Sequence, residues 1–296
     1  MQNTLLSLFL LLALPLYAEQ PDEAPATPEV QTEPTSAGDH ASRRLADLRA
    51  LPLEGDKLTL MTSAGETFAL YLANSGPRQL GAIILLHDTH KQLIDPPMDV
   101  LRIGLSQHGW DTLAIQLPER AEEEDRLSWL DRSMDHIDAA LGYLEGMDGG
   151  PVVLLGHGSG ALLAVDWLFN TSRDRVLGVV VMSMDGSANP EPRLDAPRQL
   201  AQVNIPILDI QAMHDRAIVR QTAERRAREV QRRLRDNDDQ RVFYRDIAPS
   251  YSPAKGDKVH YRQLQIPGVD HTYQPNQELL LRTVRGWVQR HAKPDR

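Results

Sequence analysis

From Ala82 to His291, short apolar runs alternate regularly with segments of helical periodicity, and this alternation constrains the fold more than any other feature. Runs such as Ala82–Leu86 and Val176–Met182 are continuously apolar, which is typical of strands buried on both faces of a parallel sheet. Strand-helix alternation of this length requires crossover connections that cover both sheet faces with helices. The pattern therefore predicts an α/β fold with a mostly parallel central sheet.

The individual elements follow from the same periodicities. Strands are predicted at Lys57–Met61, Thr67–Leu72, Ala82–Leu86, Thr112–Gln116, Val152–Leu155, Val176–Met182, Ile205–Ile210 and Val259–Ile266. Helices are predicted at Pro97–Gln107, Arg132–Leu144, Ala161–Phe169, Thr222–Arg235 and Glu278–His291. The segment Val242–Asp246 fits an additional strand or hairpin. The stretch from Met184 to Ile205 is too short for a large lid domain.

The N-terminus has the shape of a secretory signal. The apolar run Leu5–Leu16 is too short to span a bilayer comfortably, and it ends in a small residue, Ala18, after which the chain becomes polar and acidic. We therefore predict a signal peptide at residues 1–18, cleavage after Ala18 and a periplasmic or secreted protein. The alternative is an uncleaved membrane anchor. No later segment is long and apolar enough to cross a membrane.

The remaining chain divides into a linker and one domain. Residues 19–50 begin with a proline-rich, acidic stretch that cannot bury enough apolar surface to order itself, and they end in a short helix-prone segment. The folded domain is predicted at residues 51–296, which is long enough to bury a large core.

Composition excludes several function classes. The formal net charge is -9, which disfavours nucleic-acid binding because a polyanion requires a basic surface. An arginine-rich stretch around Arg226 is balanced by acidic residues and predicts a solvated helix face. There is no cysteine, so disulfides, thiolate metal sites and a cysteine nucleophile are excluded.

Polar and titratable residues follow the predicted strands. The carboxyl ends of parallel strands meet at one sheet edge, where ligands bind in such folds. The residues that the sequence brings to this edge are His87, Asp88, Thr89 and His90, then Gly156 to Gly160, Asp185, His214 and Asp215, and lastly Asp270 and His271.

The stretch Val152–Ala161 resembles the nucleophile elbow of the α/β-hydrolases, in which a strand turns sharply into a helix through a glycine-x-serine-x-glycine motif. When Gly156 and Gly160 are aligned with the flanking glycines, Gly158 stands at the nucleophile point and His157 precedes it. The segment Ile205–Asp215 is similar to the strand and acid of that superfamily.

The histidine loop of the superfamily is matched by Ile266–His271, and the order elbow, acid, histidine is the hydrolase order. The resemblance covers roughly Leu51–Ala292 and is closest to an uncharacterised branch of exported bacterial hydrolase-like proteins. It implies that His271 is the general base and that Asp215 orients it. Asp185 also follows a strand and is the alternative acid.

Glycine at position 158 leaves three interpretations of Ser159 and its surroundings. Ser159 lies one residue into the helix, where its N–H would be an oxyanion donor and its hydroxyl an N-terminal cap. Alternatively, local geometry turns that hydroxyl toward His271. In the third interpretation, Gly158 leaves room for a water that His271 and Asp215 activate. The loop after Ala82–Leu86, which in hydrolases often donates a second N–H to the oxyanion, also departs from the family pattern. Here Asp88 follows His87, where hydrolases often carry glycine.

We predict no metal and no cofactor. His87, His90, His157, His214 and His271 could converge, and imidazoles with Asp88 suit zinc, but no recognised ligand spacing is present.

The sequence predicts an exported α/β-hydrolase-like protein with an atypical or degenerate site and a non-catalytic role in binding an unknown small molecule or envelope ligand. The alternative is an ester or amide hydrolase in which His271 and Asp215 act with Ser159 or an activated water. Whether the chain is an enzyme is left open by the sequence.

Overall fold

The computed structural model describes residues 37–147, 150–171, 175–184, 186, 189–247 and 260–291. The strands are β1 (Asp56–Thr62), β2 (Gly65–Leu72), β3 (Gly81–Leu86), β4 (Trp110–Ile115), β5 (Val152–His157), β6 (Val176–Met182), β7 (Ile207–His214) and β8 (Tyr261–Asp270). The helices are α1 (Ala37–Ala50), α2 (Met98–Ser106), α3 (Arg126–Gly146), α4 (Ser159–Asn170), α5 (Ala196–Leu200), α6 (Ala217–Ile247) and α7 (Gln277–His291).

The strands form one eight-stranded sheet in the order β1-β2-β4-β3-β5-β6-β7-β8. Strands β3 to β8 run parallel, whereas β2 is antiparallel to both β1 and β4. The predicted α/β class with a mostly parallel sheet is confirmed. Between Met184 and β7 the described residues form only a short 3-10 helix at Pro192–Leu194 and α5, so this part contains no large lid.

Helices cover both faces of the sheet. Apolar residues of α3, α4 and α5 pack on one face, and those of α2 and α7 pack on the other. Strand β3 shows why its run is continuously apolar, because Ile84 points to the first core and Ile83 to the second. Helix α1 also contributes Leu48, which is buried in the second core and precedes the predicted start of the domain at Leu51.

Two predictions about the region after β7 are wrong. The segment Val242–Asp246 is not a strand, since α6 continues through it to Ile247. Adding one residue to an existing helix costs little compared with nucleating a new element, so a formed helix extends through residues of high strand propensity. Arg226 does not lie on a solvated face: it is completely buried against Asp209 of β7.

The predicted signal peptide at residues 1–18 and the acidic part of the predicted linker lie outside the described residues. Among the helices that the structure describes, none has both the length and the apolar character needed to cross a bilayer.

Candidate active site

The turn from β5 into α4 is a sharp bend that glycine makes possible. Gly158 has φ +57° and ψ -117°, a backbone conformation that residues with a side chain rarely adopt. A Cβ on Gly156 would lie 2.4 Å from Ala161 Cα, and a Cβ on Gly160 would lie 2.3 Å from the Leu86 carbonyl oxygen. The close approach of α4 to β5 and to the end of β3 therefore leaves no room for a side chain at either flanking position.

The apex of this bend is filled from another strand. A Cβ built on Gly158 would lie 2.3 Å from Cγ of Asp88, which follows β3, and 2.4 Å and 2.6 Å from its two carboxylate oxygens. Asp88 is itself buried. Its carboxylate thus occupies the space that a side chain at the nucleophile point would require.

The Asp88 carboxylate also takes the backbone donor at the start of α4. The Ser159 N–H donates to Asp88 Oδ1 over 2.8 Å. This N–H belongs to the residue after the nucleophile point, which in hydrolases donates to the oxyanion. An anion at a helix N-terminus is favoured by the helix dipole and by its unpaired N–H groups. The Asp88 side chain therefore satisfies the donor that a reacting carbonyl oxygen would need.

His271 lies between two carboxylates. Its Nδ1 is 2.8 Å from Asp215 Oδ1, and its Nε2 is 3.0 Å from Asp88 Oδ2. Arg216 adds a second positive group, with Nη2 3.3 Å from Asp88 Oδ2. The predicted His271 and Asp215 are adjacent as the resemblance implied, and Asp88 stands on the other side of the ring.

This arrangement perturbs the pKa values of all three groups. Burial alone would lower the pKa of His271, but its hydrogen bonds to Asp215 and Asp88 outweigh burial and raise that pKa above its usual value. Burial alone would raise the pKa of each aspartate. The hydrogen bond with His271 reverses this effect, assisted by Arg216 at Asp88 and by Ser183 at Asp215, so both pKa values are lowered.

The raised pKa of His271 makes a testable prediction. Asp88→Asn should lower the pKa of the His271 ring relative to the unsubstituted protein, because one charged partner is removed while burial and Arg216 remain. An NMR titration of the ring Cε1–H resonance measures this pKa. Asp236→Asn is the control, because Asp236 is an exposed aspartate of α6 that pairs with Arg232 and not with the site. An unchanged ring pKa in Asp88→Asn would contradict the contact.

The same shifts determine how the cluster contributes to stability as pH changes. The histidine contribution is fully present below about pH 6.5, the unfolded-state pKa, and is lost as pH rises through the raised folded-state pKa. The aspartate contributions are present above about pH 3.9 and are lost as pH falls through the lowered folded-state values. The cluster should therefore stabilise the fold most between these two limits.

A chain of hydrogen bonds holds the acid in position. The Ser183 hydroxyl donates to Asp215 Oδ2 and also lies 2.8 Å from the hydroxyl of the buried Tyr273.

His157 supports the histidine loop, because its Nε2–H donates to the His271 carbonyl oxygen over 3.0 Å and the two rings lie 4.4 Å apart. Burial and the neighbouring His271 lower the pKa of His157 to about 4, so this ring is neutral near pH 7.

The Ser159 hydroxyl contacts Asp88 and Thr89. It donates to Asp88 Oδ1 over 2.6 Å and accepts from the Thr89 N–H over 2.7 Å. One interpretation of the sequence was that the Ser159 hydroxyl caps the N-terminus of α4. The structure does not show this cap, because α4 has no side-chain hydrogen bond at its N-cap. Instead, the Asp88 carboxylate accepts the hydrogen bond from the Ser159 N–H, although Asp88 lies outside the helix.

The remaining histidines do not gather at the site. His87 is buried with Nδ1–H donating to the Asp88 carbonyl oxygen and Nε2 accepting from the Leu117 N–H, so it braces two loops. His90 and His214 are exposed. No group of metal-ligating side chains with the geometry of a metal site occurs in the described part of the chain. Asp185, the alternative acid, lies outside the described residues.

Sequence reasoning missed Arg216 and Tyr273. Arg216 directly follows the acid Asp215, and Tyr273 lies two residues after His271, so proximity to the predicted pair was the available signal. Neither residue belongs to the hydrolase pattern, and only the folded structure brings Arg216 to Asp88 and Tyr273 to Ser183.

A family model matches the chain over most of its length. A family model described as "Protein of unknown function (DUF3530)" matches residues 2–128 and 119–241. No curated protein matches the chain in sequence.

Solved structures that resemble the chain are α/β hydrolases. Est1E from Butyrivibrio proteoclasticus is 13% identical, with a TM-score of 0.59, and the match covers 79% of this chain and 98% of that one. Dienelactone hydrolase from Anabaena variabilis is 15% identical, with a TM-score of 0.56 and coverage of 81% and 99%. A lidless α/β serine hydrolase from Xanthomonas campestris is 15% identical, with a TM-score of 0.55 and coverage of 83% and 99%.

These likenesses confirm the predicted resemblance at the level of fold. The chain has the α/β-hydrolase fold, and sequence identities this low carry no information about substrate.

Proposed function

Because this chain belongs to the DUF3530 family and has the α/β-hydrolase fold, we propose that it is a hydrolase-like protein of the cell envelope that binds a ligand or partner and performs no serine hydrolysis. One observation carries the proposal: the Asp88 carboxylate fills the space at Gly158. A hydrolase needs a nucleophile at this point, and here neither the side chain nor the room for one is present.

The hydrogen bonds at the site support the same conclusion. Acyl transfer requires a free Nε2 on the base and a free N–H at the oxyanion position. Both groups are already bonded to Asp88, since His271 Nε2 lies 3.0 Å from its carboxylate and the Ser159 N–H donates to it over 2.8 Å. A negative charge fixed there also repels the oxyanion that acyl transfer would generate.

The direct test is hydrolysis of short p-nitrophenyl esters by the purified protein and by His271→Ala. We expect both proteins to hydrolyse the esters at the rate of the buffer alone, and we expect a fluorophosphonate probe to label neither. A rate above buffer that His271→Ala abolishes would identify a hydrolase. Probe labelling that is lost in Ser159→Ala would then show attack by serine and overturn the proposal, whereas activity without labelling would indicate attack by water.

A second function is favoured by the pairing of His271 with Asp215 at 2.8 Å. The His271 side chain is 17% exposed, so a ligand that displaced Asp88 would leave its Nε2 open to a water molecule. The ring could then accept a proton from that water, with Asp215 stabilising the imidazolium. This would be ester or amide hydrolysis by an activated water, and the ester assay above detects it.

Export through the predicted signal at residues 1–18 is part of the proposal. An apolar run of this length followed by a small residue and polar sequence supports it. Cell fractionation followed by N-terminal sequencing tests it: a mature chain starting at Glu19 in the periplasmic or secreted fraction is expected. A chain that retains Met1 in the membrane fraction would indicate the uncleaved anchor instead.

A further inference from the structure

A cavity of about 320 Å³ lies beside the Asp88 site but shares no residue with the cluster of Asp88, Asp215 and His271. Its walls come from α1, the β1–β2 turn, the loops that follow β3 and β4, and α3. This volume is at the lower end of the range for small-molecule sites.

One wall of the cavity is apolar. Helix α1 contributes Leu45 and Leu48, and the loop after β4 contributes Leu117 and Pro118. Leu45 and Pro118 are half-buried and keep apolar surface open to the cavity, while Leu48 and Leu117, each 1% exposed, belong to the core. A ligand with a compact apolar body would bury its surface against this wall.

The charges around the cavity leave one cation without a partner. Arg44 is paired with Glu119 at 2.9 Å, Arg132 is paired with Glu124 at 2.7 Å, and the lining carboxylate of Glu66 lies 3.8 Å from Arg49. Within the described residues, the Lys91 ammonium forms no ion pair and no side-chain hydrogen bond. The rim of the cavity therefore has an unmatched positive charge.

His136 of α3 also lines the cavity. The ring is buried, and one ring nitrogen faces the Ser133 carbonyl oxygen of the same helix. Burial and the charge of Arg132 lower the pKa of His136 to about 4, so the ring is neutral near pH 7. A ligand in the cavity that contacts this neutral ring can exchange one hydrogen bond with it.

We propose that this cavity binds a small organic acid, with its apolar body against Leu45 and Pro118, its carboxylate drawn by Lys91, and a hydrogen bond with His136. The site is separate from the Asp88 cluster, so it holds whether or not the protein hydrolyses esters. A carboxylate fits because a single unmatched cation favours a monoanion, and the apolar wall disfavours a fully polar ion such as phosphate.

The test uses octanoate, 4-phenylbutyrate and 1-naphthoate as probes, each compared with its uncharged amide. Binding to the purified protein is measured by calorimetry and located by chemical-shift changes in a ¹H–¹⁵N NMR spectrum. We expect at least one acid to bind more tightly than its amide and to shift the resonances of Leu48 and Leu117 rather than that of His271. Binding of no probe at millimolar concentration, or equal affinity for acid and amide, would overturn the proposal.

Variants identify the groups responsible. Lys91→Met should weaken binding of the acid about fivefold and leave the amide unaffected, which is the size expected for one partly exposed ion pair. His136→Phe keeps the ring but removes both nitrogens, and it should weaken both probes by a similar factor. Arg235→Met, an exposed cation of α6 outside the cavity, controls for net charge, and equal weakening in this variant would contradict a specific role for Lys91.

Discussion

Combining Asp88→Gly with Gly158→Ser should produce an esterase, whereas Gly158→Ser alone should remain inactive. The double variant removes the carboxylate that lies 2.3 Å from the position of the new Cβ, so the introduced hydroxyl has room at the apex of the bend. Removing Asp88 also frees His271 Nε2 and the Ser159 N–H, which are then available as base and oxyanion donor. Initial rates with p-nitrophenyl acetate should rise about 10²-fold above the unsubstituted protein.

The single variants separate the causes of this gain. Gly158→Ser alone forces a side chain into the Asp88 carboxylate and should reduce the free energy of unfolding by about 1–3 kcal/mol. Asp88→Gly alone has room at the apex of the bend but no nucleophile there. It should therefore release p-nitrophenol without the initial burst that acylation of the protein would cause. Adding His271→Ala to the double variant should abolish the new activity. A folded but inactive double variant, or an active Gly158→Ser single variant, would show that Asp88 does not fill the nucleophile position.

The fold was predictable because its information is local. Buried parallel strands are continuously apolar over five or more residues, as in Ala82–Leu86, and the intervening helices have their own period. The bounds of individual helices are predicted less accurately. The periodicity places α6 at Thr222–Arg235, whereas the helix extends over Ala217–Ile247. Helix ends depend on how far a formed helix propagates, which single residues specify weakly.

The site was predictable only in part because its central contact is not local. The sequence reveals that glycine stands at position 158 and that Asp88 replaces a glycine in the oxyanion loop, which are two departures from one pattern. Only the sheet order places β3 beside β5, and only that adjacency shows that the two departures fill one space. The missing side chain at Gly158 and the added one at Asp88 compensate each other in volume.

Arg226 shows the same limit for the core. Several residues around it, such as Glu224 and Arg228, are charged and exposed, so composition predicts a solvated face for the whole stretch. Asp209, its partner, is completely buried in the middle of β7 and needs a cation. A buried acid within an apolar strand was the signal that one arginine of the following helix would turn inward.

Arg226→Met should therefore be among the most destabilising substitutions in the chain. The guanidinium and the Asp209 carboxylate are both 0% exposed, with Nε 2.9 Å from Oδ2. Tyr261 and Gln263 also donate to this carboxylate, but neither neutralises it. Removal of the cation leaves a buried negative charge, and the free energy of unfolding should fall by about 3–5 kcal/mol. Urea denaturation followed by circular dichroism measures the change.

Removing both partners should cost less than removing one. In Asp209→Asn combined with Arg226→Met no charge is left buried, and the amide oxygen can still accept from Tyr261 and Gln263, so much of the stability should return. Arg232→Met on the same helix is the matched control, because Arg232 is 65% exposed and pairs with Glu229 at the surface. Its cost should be within about 0.5 kcal/mol. If the Arg226 and Arg232 variants lost equal stability, the cost would come from helix propensity and not from the buried ion pair.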